Sequence, residues 1–287
     1  MSLAGVWPGT ALFTGQIAIT FLRGKPMQKQ NFSFFISVLL MSAGPLALAE
    51  TFPTAAELAK MTDAERHAQA ARTEVWTPVP AVVSFDQQNV PSDAVRLLGK
   101  DLSAWRAVKD GGVAQWQLKD GVMTVKPGSG DIRTVENFCD IQLHLEWQSP
   151  PADPAKTGQM RNNSGIFLQD KYEVQILDSY QNPTYPNGQA GAVYKQSMPL
   201  VNATKPTGQW QVYDIIYKAP RFDGNKRISP GYVTVLHNGV LLQNHTEILG
   251  TTEWIGPPQQ QPHGCAPLKL QDHGDKVSFR NIWLRKL

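Results

Sequence analysis

The sequence contains no block of like charges, and its overall charge is small. Its 287 residues include 27 Lys and Arg against 24 Asp and Glu, which gives a formal net charge of +3. A nucleic-acid-binding face normally needs a clustered basic patch or stripe. We therefore expect no nucleic-acid partner, and a neutral or weakly charged small molecule is the simpler ligand for this chain.

Cysteine is scarce, since the whole sequence contains only Cys139 and Cys265. There is no C-x-x-C motif, so the sequence offers neither a thioredoxin-like redox motif nor a zinc ribbon. The two thiols could form one bridge in an oxidising compartment. Their distance in space does not follow from the sequence, so their pairing stays open at this stage.

The sequence also lacks an apolar run long enough for a membrane-spanning helix. The apolar run Phe32–Leu48 is shorter than the ~20 residues that a spanning helix needs, and Gly44-Pro45 interrupts it. A lysine precedes this run, and Ala47-Leu48-Ala49 follows it before Glu50, which is the pattern of a secretory signal peptide. The sequence therefore predicts a cleaved export signal rather than a membrane anchor.

This interpretation divides the N-terminal region into three parts. We predict that residues 1–26 are a leader from a start codon assigned too early, and that residues 27–49 are the signal peptide. The mature chain then begins at Glu50, carries no membrane anchor and is periplasmic or secreted in a bacterium.

Helical periodicity is rare in the rest of the chain. Only Thr54–Arg72 reads as a helix, opened by Thr54 with Glu57 three residues later, the signature of a capping box. A Pro-rich connector, Trp76–Pro91, follows it. We predict that residues 50–94 form a helical and Pro-rich lead-in to a domain that spans residues 95–287.

What the sequence does contain is a succession of short alternating runs separated by turn residues. This pattern predicts an all-β domain, a β-sandwich or jelly roll, with a short N-terminal helical appendage. The turn Asn238-Gly239 predicts a hairpin over Tyr232–Gln243. The predicted strands are Val113–Leu118, Gly121–Lys126, Ile132–Thr134, Ile141–Trp147, Gly165–Gln169, Tyr172–Leu177, Val212–Lys218, Tyr232–His237, Val240–Gln243, Leu268–Gln271 and Val277–Arg285.

Two of these strands have one apolar face and one polar face. The first, within Lys171–Ser179, alternates core-type residues with Glu173 and Gln175, and the second alternates leucines with Lys269, Gln271 and His273. Three long segments, residues 150–163, 179–194 and 250–267, have the length of binding loops. We expect the two polar faces to line one groove, walled by residues 150–163 and 179–194, the two segments that flank the first of these strands or its predecessor.

Several ordered motifs carry a resemblance to a known family. They are L-L-G-K-D-L-S-A-W from Leu97, D-G-V-M-T-V from Asp120, N-S-G-I-F-L from Asn163, Y-E-V-Q-I-L-D-S from Tyr172, Y-D-I-I-Y-K-A-P-R-F-D from Tyr213, V-T-V-L-H-N-G-V from Val233, L-K-L-Q-D-H-G from Leu268 and F-R-N-I-W-L-R from Phe279. Together they closely resemble the domain of the 3-keto-disaccharide hydrolase family, from about Val95 to Leu287. The resemblance implies a concanavalin-like jelly-roll sandwich in exported bacterial proteins that act in carbohydrate breakdown. One departure is Lys269, where family members often carry Arg.

The chemistry that this resemblance implies needs one base. A ketone at C3 of a glycoside acidifies the C2 proton, so removal of that proton allows the C1 substituent to leave, and water adds afterwards. An ordinary glycosidase instead uses two opposed carboxylates. Gln175 stands where a second carboxylate would be wanted, which favours elimination over direct hydrolysis. A sugar oxidoreductase that makes the ketone is a candidate partner.

The candidate catalytic residues are Glu173 as the general base, His273 as base, acid or metal ligand, and Lys269, which could stabilise an enolate or orient a hydroxyl. Their plainer interpretations are a solvated strand carboxylate, a turn histidine and a surface lysine. The candidate substrate-binding residues, which would meet sugar hydroxyls, are Asn163, Gln175, Asp178, Gln271 and His237. Asp178 is also a candidate metal ligand or loop cap, and His237 belongs to the hairpin tip. The sequence leaves the metal and cofactor requirement open.

Two other functions fit the same pattern. A carbohydrate-binding or lectin-like domain uses the same sandwich without chemistry, and a structural envelope domain would bind no glycan at all. Replacement of Glu173 distinguishes the enzyme from the carbohydrate-binding domain, because a binding groove should lose affinity whereas a catalytic groove should lose turnover.

Overall fold

The computed structural model describes residues 51–287. The predicted leader, signal peptide and mature terminus at Glu50 therefore lie outside the described residues. The chain divides into two compact units, with Pro78 as the last residue of the first and Val79 as the first residue of the second. Residues 79–94 thus belong to the same unit as the predicted domain.

The first unit contains two short helices, α1 (Ala55–Leu58) and α2 (Asp63–Ala71). The predicted start at Thr54 is confirmed, because the side chain of Thr54 accepts a hydrogen bond from the backbone N–H of Glu57. The prediction of one continuous helix is wrong. Thr62 and Glu65 form a second capping box, which begins a new helix after a break. Neither helix is long or apolar enough to cross a membrane.

The second unit is built almost entirely from β-strands. Its strands are β1 (Val95–Arg96), β2 (Trp105–Ala107), β3 (Gln117–Lys119), β4 (Val122–Thr124), β5 (Ile132–Thr134), β6 (Ile141–Gln148), β7 (Ser164–Leu168), β8 (Tyr172–Ile176), β9 (Trp210–Lys218), β10 (Arg221–Asp223), β11 (Lys226–Ser229), β12 (Gly231–His237), β13 (Val240–Ile248), β14 (Lys269–Leu270) and β15 (Ser278–Lys286). Every predicted strand overlaps one of these. The short strands β1, β2, β10 and β11 were not expected.

The strands form two main antiparallel sheets. The larger sheet has the order β13-β12-β9-β6-β15-β4-β3, and β1 also pairs with β15. The smaller sheet has the order β2-β5-β14-β7-β8, and β10 pairs with β11 alone. The two main sheets pack as a sandwich, which confirms the predicted fold class.

The core lies between the two sheets, because each strand turns alternate residues inward. On β8 these residues are Tyr172, Val174 and Ile176, and from the larger sheet Leu145 and Ile215 belong to the same buried cluster. Burial on β6 alternates along the whole strand. The other face of each strand is therefore free to carry polar side chains.

The predicted hairpin at Asn238-Gly239 is confirmed. His237 pairs with Val240, and both turn residues have positive φ, 53° and 80°. A two-residue turn of this kind matches the twist of the flanking strands.

Cys139 and Cys265 form a disulfide across 126 positions of sequence. The backbones of the neighbouring Phe138 and Ala266 pair beside it, with N–O distances of 2.9 and 3.2 Å. A disulfide is typical of extracytoplasmic proteins, because the cytosol keeps thiols reduced.

Candidate active site

The two predicted polar strand faces lie on the outer face of the smaller sheet. Strand β7 separates them: Phe167 is paired with Glu173 of β8 on one side and with Lys269 of β14 on the other. One step along, Gly165 pairs with Gln175, and the carbonyl of Gly165 accepts a hydrogen bond from the backbone N–H of Gln271. The register of three strands therefore brings distant parts of the sequence to one surface.

A cavity of about 220 Å³ opens on this surface. Five predicted site residues line it: Glu173, His273, Asn163, Gln175 and Gln271. Four residues that the sequence analysis did not single out complete the lining: Phe167, Tyr194, Thr252 and Trp254. The cavity thus combines one carboxyl group with amides, hydroxyls, an imidazole and aromatic rings.

Glu173 lies on the floor of the cavity, and only 4% of its surface is exposed. Burial raises the pKa of its carboxyl to about 8, because the charged form loses its hydration. The positive charge of Lys269 opposes this shift and the negative charge of Asp131 adds to it. Among residues 51–287, no group donates a hydrogen bond to this carboxyl. An acid–base group with these properties can hold or accept a proton near neutral pH.

The position of Glu173 depends on a glycine. A Cβ atom on Gly165 would stand 2.4 Å from Glu173 Oε1 and 3.0 Å from a ring carbon of Phe167. No other residue type leaves room for the carboxyl in this place.

Two buried amide oxygens in the cavity wall have no hydrogen-bond partner within the described chain, Gln175 Oε1 and Gln271 Oε1. The amide nitrogen of Gln175 is held by Gln159 Oε1, at 2.9 Å, and by the carbonyl of Gly188. Buried polar atoms are normally satisfied, so unpaired acceptors that line a cavity point to a ligand with hydroxyl donors.

Lys269 does not line the cavity directly. Its Nζ lies 3.9 Å from the ring centre of Phe167 and forms ion pairs with Asp170, at 3.3 Å, and Asp131, at 3.7 Å. It acts on Glu173 through its charge. Lys269 and Glu173 therefore lie on the same surface, as predicted, and Phe167 lies on the strand between them.

Tyr194 is the main acid–base group that the sequence analysis missed. Its backbone N–H donates to the carbonyl of Glu173, which places it beside β8, and its hydroxyl lies 2.6 Å from that of Tyr185. Burial raises the pKa of Tyr194, so the phenol keeps its proton. The available signal was its position at the end of a predicted wall, residues 179–194. Thr252 and Trp254 lie in residues 250–267, which the sequence analysis identified as a long loop but not as a wall of this groove.

Two predicted substrate-binding residues, Asp178 and His237, lie away from the cavity. The Asp178 carboxylate is buried, with Arg161 Nε at 3.2 Å and Thr207 Oγ1 at 2.7 Å, so it anchors surrounding loops. Its alternative role as a loop cap is therefore the better interpretation.

His237 belongs to the larger sheet and has no exposed surface. Its Nε2 lies 3.0 Å from Gln211 Oε1, and its ring lies against Trp147 and Tyr213. Burial lowers the pKa of His237 to about 3, which keeps the imidazole neutral. A side chain in this place has no access to a sugar.

Other places on the described chain offer less for chemistry. No group of three or more His, Cys, Asp or Glu side chains among residues 51–287 could hold a metal ion. A larger cavity of about 690 Å³ lies outside the larger sheet, but two of its charged lining residues, Glu146 and Arg280, pair with each other at 2.7 Å. The cavity around Glu173 is therefore the candidate active site.

The outer face of this antiparallel sandwich carries a buried acid–base carboxyl beside unpaired amide oxygens, which can accept hydrogen bonds from hydroxyl groups. This is the architecture of a carbohydrate-active β-sandwich enzyme. Comparison with known proteins then gives the family. A model of the 3-keto-alpha-glucoside-1,2-lyase-like domain matches residues 89–285, which is more than half of the chain, so the chain belongs to this family.

Relatives of known name agree with this assignment. The chain is 24% identical over 253 residues to the 3-keto-disaccharide hydrolase of Bacteroides thetaiotaomicron, covering 71% of this chain and 82% of the relative. A crystal structure of a Parabacteroides distasonis protein, described as a glycosyl hydrolase, is 53% identical with a TM-score of 0.72 and covers 75% of this chain and 95% of its own. A second such structure from the same organism, 23% identical with a TM-score of 0.51 and covering 68% and 94%, supports the fold.

Proposed function

We propose that this protein cleaves the glycosidic bond of 3-keto-glycosides, such as 3-keto-disaccharides, by elimination across C1 and C2 followed by addition of water. The observation that carries this proposal is that Glu173 is the only carboxylate among the residues that line the cavity. Direct hydrolysis needs two carboxyl groups on opposite sides of the scissile bond, whereas elimination beside a ketone needs one base. The name of the Bacteroides relative supports the same substrate class.

In the first step, Glu173 removes the proton from C2. The electron pair of the C2–H bond forms a C2–C3 double bond, and the negative charge moves to the oxygen of the former ketone. The charge of Lys269, which already lowers the pKa of Glu173, favours this enolate electrostatically. The unpaired oxygens of Gln175 and Gln271 accept hydrogen bonds from sugar hydroxyls and hold the ring in place.

In the second step, the enolate collapses to regenerate the ketone. A C1–C2 double bond forms, the C1–O bond breaks, and the leaving oxygen takes a proton from Tyr194 or His273, the two other proton carriers of the lining. Water then adds across C1–C2: its oxygen bonds to C1 and gives one proton back to the Tyr194 or His273 that protonated the leaving group, C2 regains a proton from Glu173, and the free 3-keto sugar results.

The proposed location is outside the cytoplasm, in the periplasm or the medium. The signal pattern of residues 27–49 and the Cys139–Cys265 disulfide support it. A sugar oxidoreductase would supply the keto group to this enzyme.

The test compares purified protein on a 3-keto-disaccharide and on the same disaccharide without the keto group, with products followed by mass. We expect cleavage of the keto sugar alone. The Glu173→Gln variant keeps the shape of the side chain but not its basicity, so turnover should fall by roughly 100- to 10,000-fold while ligand affinity stays nearly unchanged. Equal cleavage of both sugars would refute the keto-dependent route.

A carbohydrate-binding domain without activity would give a different result in the same test. There, wild-type protein would bind the disaccharide without converting it, and Glu173→Gln would weaken binding measured by calorimetry. Full activity in both Glu173→Gln and His273→Ala would place the base elsewhere.

A further inference from the structure

Trp254 is an exposed aromatic residue at the cavity, and the core does not account for it. Its side chain is 74% exposed, yet it belongs to the lining together with Glu173 and Gln175, which are 4% and 0% exposed. These values place Trp254 at the mouth and the two polar residues on the floor. Its neighbour Ile255 is equally exposed, at 76%, but does not line the cavity.

The loop that carries Trp254 is fixed to the strand that carries Glu173. Thr252 Oγ1 accepts a hydrogen bond from the backbone N–H of Glu173, and the backbone N–H of Thr252 donates to the carbonyl of Lys171, both at 2.9 Å. Lys195 Nζ donates to the carbonyl of Trp254 at 2.5 Å. The indole is thus presented at a defined place relative to the base.

The base of the same loop is closed tightly. The backbone N–H of Thr251 donates to the carbonyl of Gln259 at 2.9 Å, and a Cβ atom on Gly250 would stand 2.5 Å from that same carbonyl oxygen. Hydrogen bonds therefore hold the loop in place as a wall of the cavity, with Trp254 at the opening.

The cavity does not enclose a whole disaccharide. Its volume of about 220 Å³ lies below the roughly 300–1,000 Å³ of pockets that bury most of a drug-sized ligand, so a second ring would extend beyond it. The ring that loses its C2 proton must reach Glu173 on the floor, so the group that leaves from C1 must lie at the mouth. Trp254 is the large apolar surface there, and indole rings bury substantial area against flat partners.

We propose that Trp254 forms a leaving-group subsite, a platform on which the second pyranose of a disaccharide or an aryl aglycone stacks while the 3-keto ring occupies the cavity. This inference rests on the proposed function. It assigns the substrate preference to the mouth: glycosides with a ring-shaped leaving group are preferred over those with a small alkyl group.

The test compares a 3-keto-disaccharide with the methyl 3-keto-glycoside of the same reacting ring. We expect Trp254→Ala to lower the ratio of kcat/KM for the disaccharide to kcat/KM for the methyl glycoside by roughly tenfold or more. Trp254→Phe should keep most of the ratio, because a ring remains. Ile255→Ala, which removes an equally exposed apolar side chain of the same loop, should leave the ratio unchanged.

Two outcomes would overturn the subsite. Loss of activity by the same factor on both substrates would mean that Trp254 supports the reacting ring or the fold, and wild-type activity on both substrates would mean that the leaving group lies elsewhere. If wild-type protein cleaves neither substrate, the proposed function fails, and calorimetry then tests the subsite by itself. In that case, equal affinity of wild-type protein and Trp254→Ala for the disaccharide would refute the subsite.

Discussion

The carboxyl group of Glu173 occupies the space that a side chain on Gly165 would need. The two residues lie on adjacent strands, and a Cβ atom built on Gly165 would come within 2.4 Å of Glu173 Oε1. Real Cβ atoms essentially never approach an oxygen so closely, so one of the two groups would have to move. The glycine therefore leaves room for the carboxyl that we propose as the base, although Gly165 itself does not line the cavity.

A Gly165→Ala variant tests this relationship. The added methyl group should displace the carboxyl of Glu173 and lower kcat, by up to the roughly 100- to 10,000-fold expected for loss of the base. Stopped reactions followed by mass measure the effect, and circular dichroism reports whether the sandwich still forms.

Gly99→Ala is the matched control. Nothing lies within 4 Å of a Cβ atom at Gly99, so this variant adds the same methyl group to open space. It should keep the activity of the wild-type protein. Normal activity in Gly165→Ala would show that Glu173 reacts from another position.

The pH dependence of kcat/KM should report the ionisation of Glu173. The base must be charged, and burial raises the pKa of Glu173 to about 8, so kcat/KM should rise about tenfold per pH unit below that value and level off above it. Measurement between pH 5.5 and pH 9.5 in buffers of constant ionic strength locates the midpoint. A profile that is flat across this range would contradict the assignment of Glu173 as the base.

The sequence predicted the long strands well and the short ones poorly. Strand β6, Ile141–Gln148, was predicted as Ile141–Trp147 because apolar and polar residues alternate along its whole length. Strands β10 and β11 carry only half-buried and exposed side chains, so their sequences show no apolar face. Only their backbone pairing defines them as strands. The break between α1 and α2 was missed although Thr62 and Glu65 repeat the capping box of Thr54 and Glu57.

The alternation of residues along the strands also explains why two predicted substrate-binding residues lie away from the cavity. His237 is in phase with Val233 and Val235, which face the core, and Asp178 is in phase with Val174 and Ile176. Side chains in those phases turn inward, away from the outer face that carries Glu173. By contrast, no local pattern determines where a long loop returns, so Tyr194 could be placed in a wall of the groove and Trp254 only in a long loop, and neither could be recognised individually.

Loss of the charge of Lys269 should shift the pH profile upward. Lys269 lowers the pKa of Glu173, and it forms an ion pair with Asp131, whose negative charge raises that pKa. In Lys269→Met the charge that lowers the pKa of Glu173 is lost, and the opposing charge of Asp131 is no longer offset. The midpoint of kcat/KM should therefore move above the wild-type value. The plateau should fall as well, because the enolate loses its stabilising charge.

Two controls separate charge from shape at this position. Lys269→Arg keeps the charge and should keep the midpoint near that of the wild-type protein. Lys171→Met removes a half-buried lysine whose Nζ bonds to Gln261, outside the cavity lining, and should change neither midpoint nor plateau. A Lys269→Met midpoint equal to the wild-type value would show that Lys269 acts only through packing on Phe167.

Stability should depend on pH through the same carboxyl group. The pKa of Glu173 is about 8 in the folded protein against an ordinary value of 4.5, so between these values the folded state holds a proton that the unfolded state has released. The contribution of neutral Glu173 is fully present below about pH 4.5 and is lost as the pH rises through about 8. Because glutamine stays neutral, the stability of Glu173→Gln relative to the wild-type protein should increase across this window, by on the order of a few kcal/mol.

Urea unfolding of both proteins at pH 5 and pH 9 measures the difference, in which the other titrating groups cancel. A difference that is the same at both pH values would mean that Glu173 ionises alike in the folded and unfolded chains, and that the buried site doesn't hold its proton.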